Sequence, residues 1–132
     1  MKDVQIRVYD KQIYPTHFDE SENSFKGKIS MKNNDIYLLY TDENTQTKTT
    51  IKVSGQGITV KRSGGMNGTL QFDKEKITRN AYRTPYGNML IDIETTNTEV
   101  YLLEKGVKIN IAYTMLMHGE KISENAFMVM AN

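Results

Sequence analysis

Apolar residues recur at every second position through most of this chain. Val4, Ile6 and Val8 alternate with polar neighbours, as do Phe25, Gly27 and Ile29, and then Ile36, Leu38 and Tyr40. A repeat of two is the side-chain period of a β-strand with one buried face. No window of about ten residues carries the helical spacing of apolar positions. The same alternation returns at Ile51 and Val53, at Ile58 and Val60, in residues 69–72 and 77–84, and most clearly at Met89, Ile91 and Ile93. Further strands are predicted near residues 99–103, 107–117 and 121–130.

Turn chemistry separates these runs. Asn33-Asn34-Asp35 and Gly55-Gln56-Gly57 predict hairpins, and Gly64, Gly65 and Gly68 surround Met66-Asn67 before the next strand. Residues 73–76, the cluster Pro85-Tyr86-Gly87-Asn88, Asn97, Glu104-Lys105-Gly106 and His118-Gly119-Glu120 mark further reversals. Pro15 and the polar residues 16–24 predict a loop. The connections are too short for parallel crossovers, so sequential strands pair antiparallel as a meander. About eight to ten such strands would leave two edges and one apolar face bare as a flat sheet, and closure into a barrel removes both problems.

The length of 132 residues suits one domain, residues 1–132, with one core. The formal charge of +1 provides no field for steering polyanions, which argues against a nucleic-acid partner. The absence of Cys removes disulfides, thiol nucleophiles and thiolate metal sites together. The first residues alternate instead of forming a signal-like apolar run, and no apolar run is long enough to cross a membrane as a helix. A cytoplasmic protein is expected.

Catalytic chemistry is hard to build from these residues. His17 lies in the first polar segment and His118 beside a turn Gly, and neither has a second His at a ligand spacing. The glycine cluster at 64, 65 and 68 lacks the Lys-Ser/Thr ending and following helix of a phosphate loop. Asp92 and Glu94 lie opposite the Met89, Ile91, Ile93 face, in water, where nothing raises a carboxyl pKa for acid catalysis. No enzyme, metal or cofactor is expected. The basic residues are more informative. Strict alternation puts Arg62 on the face of Ile58 and Val60, and Arg79 between Ile77 and Ala81. Tyr40 shares a face with Ile36 and Leu38, and Tyr113 with Ile109 and Ile111. An inward Arg must be paired or bind an anion, so Arg62, Arg79, Tyr40 and Tyr113 form a candidate carboxylate site. The alternative is that a bulge near the glycines turns the arginines outward. Met89, Met115 and Met117 continue apolar faces, as core filling or as a pliable pocket wall.

Arg62-Ser63-Gly64, Phe72, Tyr82, the run Thr84-Pro85-Tyr86-Gly87, the strand after it and the closing pair of strands together resemble the YwiB-like proteins. These are small bacterial proteins grouped as a domain of unknown function and assigned to the calycin, or lipocalin-like, β-barrels. The resemblance covers nearly the whole chain and is weakest before Ile36. Arg83 stands where that pattern is often acidic, which argues against a catalytic carboxylate there. The resemblance implies a calycin-like barrel whose interior can hold a small molecule, and it adds Tyr82, Thr84 and Tyr86 to the positions of interest. It supplies no ligand or reaction. Two readings follow. One is a non-enzymatic binding module for a small amphipathic acid. The other is a barrel with a packed interior that binds another protein or a second copy of itself, with Tyr37, Tyr101, Leu103 and Leu116 on its outer face.

Overall fold

Alternation translates directly into strand faces. The computed structural model describes residues 1–84 and 87–132, and for residues 82–84 the backbone alone. Among the described residues there are ten strands: β1 (Lys2–Ile13), β2 (Phe18–Lys32), β3 (Asp35–Asp42), β4 (Thr47–Ser54), β5 (Gly57–Gly64), β6 (Asn67–Phe72), β7 (Thr78–Thr84), β8 (Gly87–Leu103), β9 (Gly106–Met117) and β10 (Glu120–Ala131). Each pairs antiparallel with the next in sequence, and β1 pairs with β10 to close the barrel, with Ile6 opposite Ala131 and Val8 opposite Val129. Closure gives the first and last strands the partners that an open meander would lack. Among the described residues no helix is long and apolar enough to cross a membrane.

Among the described residues the inward side chains form one apolar cluster that takes members from nine of the strands and centres on Ile6, Leu38, Ile51, Val60, Ile93, Val107, Ile109 and Val129, all nearly or fully buried. Each such side chain stabilises the fold by about 1.5–3 kcal/mol. The cluster fills the end of the barrel that carries both chain termini. Tight turns set the register around it. Asn33 and Asn34 both take positive φ, 53° and 69°, as a two-residue hairpin turn between paired Lys32 and Asp35 requires. His118 and Gly119 do the same at 52° and 79° between Met117 and Glu120.

Two segments differ from the sequence expectation. The polar run in residues 18–24, expected as loop, is strand, with Asp10 opposite Ser21 and Val8 opposite Asn23. Near the open end no apolar core lies inside this ribbon, so no alternation marks it, and its backbone ladder with β1 holds it. Asn97, expected as a reversal, lies in the middle of β8. The strand carries a bulge between Thr95 and Asn97 and continues to Leu103. The inner face therefore passes from odd positions (Ile91, Ile93, Thr95) to even ones (Thr98, Val100).

Among the described residues the seam between β6 and β7 is the thinnest part of the wall, with Asn67 opposite Arg83 and Gly68 opposite Tyr82. Side chains stitch it further down. The Thr78 hydroxyl donates to the Gln71 carbonyl at 2.6 Å, and the Asn80 amide oxygen accepts from the Gln71 N–H at 2.9 Å.

Candidate functional site: an interior cavity

Past the core, toward the end opposite the termini, the inner faces turn polar. Val8 is followed by Asp10 and Gln12 on β1, Phe25 is preceded by Asn23 and Ser21 on β2, Tyr40 is followed by Asp42 on β3, and Thr47 and Thr49 precede Ile51 on β4. These residues enclose a cavity of about 400 Å³ over an apolar floor that includes Val60, Leu70, Phe72, Ile91 and Phe127. That volume lies in the range of roughly 300–1,000 Å³ usual for small-molecule sites. The barrel is therefore not packed solid at this end.

Arg62 lies in the cavity wall, half-buried, next to Thr49 across the β4–β5 ladder. Of the two orientations open from sequence, it takes the inward one. Its guanidinium and the Thr49 hydroxyl both favour the ionised form of the Tyr40 phenol. Burial pushes the Tyr40 phenol above its ordinary pKa, and the Arg62 charge opposes that rise only in part. Tyr40 is thus a neutral donor at physiological pH. Its ring stacks on Phe25 at 4.8 Å, and Tyr113, also in the lining, meets Phe72 edge-on at 4.8 Å. These ring pairs fix where both hydroxyl groups sit.

Asp10 is the residue that sequence reasoning missed. Burial pushes its carboxyl above the ordinary aspartate range, and the facing Arg62 charge pulls it partly back. Its Oδ1 is buried and has no hydrogen-bond partner among the described residues. The signal was present: carrying the alternation of Val4, Ile6 and Val8 one step further puts Asp10 on the inner face. The same step beyond Tyr40 finds Asp42.

Arg79 corrects the sequence reading. It lies on the outer wall, its side chain 71% exposed, with Nε donating to Asp92 Oδ1 at 2.9 Å and Nη2 to Oδ2 at 3.3 Å. The inner face of β7 is polar: Thr78 and Asn80 are buried there by the stitching to Gln71, which sends Ile77, Arg79 and Ala81 outward. The backbones of Tyr82 and Thr84 pair with Met89 and Gly87, near the cavity end of the barrel. Their side chains, and Tyr86 as a whole, lie outside the described residues. His17 and His118 are both exposed.

A second hollow of about 710 Å³ lies at the other end, between the turn at residues 54–57, the segment 73–76 and Thr98 and Val100 of β8. It is larger but is walled mainly by turns, and it lacks the buried ionisable groups of the interior cavity.

Residues 4–129 match the model of a family described as "Domain of unknown function (DUF1934)". The fold is similar to the crystal structure of the ywiB protein from Bacillus subtilis, with a TM-score of 0.82, 23% sequence identity and coverage of 99% of this chain and 92% of that one. No curated protein matches the sequence.

Proposed function

Since the chain belongs to the DUF1934 family, whose description names no activity, we propose from the cavity itself that this protein is a non-enzymatic binding module for a small amphipathic acid. One observation carries the reading: Arg62 stands in the wall of an open interior cavity of about 400 Å³ whose floor is apolar. The ligand's apolar part enters first and covers Val60, Leu70, Phe72, Ile91 and Phe127, where it gains from leaving water. Its acidic head stays at the level of Arg62, whose forked donors suit a carboxylate, and Tyr40 supplies a neutral donor beside it.

The reading is of binding rather than turnover because the cavity's polar groups are a guanidinium, phenols, hydroxyls, amides and carboxylates, with no nucleophile set against a base among the described residues. The partner is a small molecule, not a nucleic acid or a membrane. A cytoplasmic setting belongs to the same proposal, since a chain without Cys gains nothing from an oxidising compartment.

Native mass spectrometry of protein purified from its own cells tests this. The expected spectrum contains a species heavier than the bare chain by one small acid, which is lost in Arg62→Met and kept in Arg79→Ala on the outer wall. A bare mass for the wild type, together with no uptake of added aliphatic acids, overturns it.

A further inference from the structure

The proposed ligand is an anion, yet the cavity already holds two carboxylates, Asp10 facing Arg62 and Asp42 nearer the mouth. Asp10 projects from β1 into the space that Arg62 enters from β5, and both line the same cavity. Beside Arg62, Asp10 and the ligand would then set two carboxylates against one guanidinium in a partly desolvated volume, leaving one negative charge in excess even before Asp42 nearer the mouth is counted. Like charges so confined do not both ionise, and one of the pair keeps a proton. Asp10 is already prepared for that outcome, because its Oδ1 is buried with no hydrogen-bond partner among the described residues. A proton held between this oxygen and a ligand carboxyl oxygen supplies the missing hydrogen bond. We infer that the acidic ligand enters together with one proton, which it shares with Asp10 while Arg62 holds its second oxygen. This rests on the binding reading above and adds the protonation state of the complex.

The surroundings of Asp10 leave it as the group that takes the proton. On the neighbouring strands the inward residues are uncharged: Ser21 and Asn23 on β2, Asn125 and Phe127 on β10. Across the barrel it faces Arg62 of β5, Tyr40 and Asp42 of β3, and Tyr113 of β9; the inward residues of β4 are Thr47 and Thr49. Asp42 stands at the end of β3 toward the mouth, where its carboxylate also accepts from the Asn44 N–H at 3.0 Å. Asp19, opposite Gln12, is exposed at the mouth. Tyr9, Lys11, Glu20, Glu22, Lys121 and Glu124 are on the outer side of the wall or at its rim, mostly exposed to solvent. Burial also pushes the carboxyl of Asp10 upward before any ligand arrives, which shortens the step to protonation.

The test is isothermal titration calorimetry of the full chain with two probes, octanoate and octanamide, across about pH 5.5 to 8 and in buffers of different ionisation enthalpy. Octanoate is expected to bind with uptake of about one proton at the alkaline end, its affinity falling roughly tenfold per pH unit there. Octanamide carries a donor and an acceptor without charge, so it binds best where Asp10 is ionised and takes up no proton. In Asp10→Asn a permanent amide donor replaces the proton, and octanoate affinity becomes flat over the range. Octanoate binding without proton uptake in the wild type overturns the inference while leaving the binding reading intact, and that measurement needs no variant. If neither probe binds wild type at any pH, the binding reading fails and this inference fails with it.

Discussion

Arg62 and Arg79 have the same side chain and opposite roles because one strand hides apolar residues and the other hides polar ones. On β5 the inner face is Ile58, Val60 and Arg62, so the sequence pattern leads to the right side. On β7 the buried residues are Thr78 and Asn80, and Arg79 meets Asp92 in solvent. Asp10 is the inward partner that an apolar stripe does not advertise. Its carboxyl ionises above the ordinary 3.8, chiefly through burial. Over the interval between those two values the folded chain holds a proton that the unfolded chain has released. The stability this contributes is complete below pH 3.8 and is lost as pH rises through the folded-state value. Asp10→Asn removes the titration, so its Tm should gain on wild type as pH rises from about 4 to about 7. Thermal melts across that range check this, and a constant Tm difference between the two proteins would refute it.

At the scale of elements, the bulge in β8 and the stitched seam show where alternation stops being a guide. Thr96, between Thr95 and Asn97, adds one residue, so a reading that expects strict period two breaks β8 there. In fact the strand runs unbroken through 17 residues. The polar start of β2 was illegible for a related reason: its inner side faces a cavity rather than a core. The β6–β7 seam relies on Asn80 in place of a full ladder, since the Asn80 side chain both accepts from the Gln71 N–H and donates to the Thr78 carbonyl at 3.2 Å. Asn80→Ala removes both bonds from a buried position and should cost about 1–3 kcal/mol. Urea unfolding measures it, and an unchanged midpoint would mean that the seam does not depend on this side chain.

For the whole molecule, closure joins the first strand to the last, so β1 cannot complete its pairing until β10 exists. Contacts of such large sequence separation make for slow folding. They also distribute stability unevenly. The wall is strong at β1–β2 and β8–β9, where the ladders are long, and weak at β6–β7, where two pairs meet among the described residues. Native-state hydrogen exchange should therefore show the amides of β6 and β7 opening first, and those of β1, β9 and β10 only with global unfolding. Uniform protection around the wall would contradict this. By itself the sequence determined most of the strand faces, the hairpin meander, the faces that carry Tyr40 and Tyr113, and the family resemblance. All of these depend on local period and turn chemistry, which neighbouring residues encode. Only the tertiary structure decided that the interior stays open at one end, that Arg62 faces in and Arg79 out, and that Asp10 meets Arg62. Those outcomes depend on which strands lie across the barrel from one another, and a distance across a closed wall is set by register and closure together rather than by any single stretch of chain.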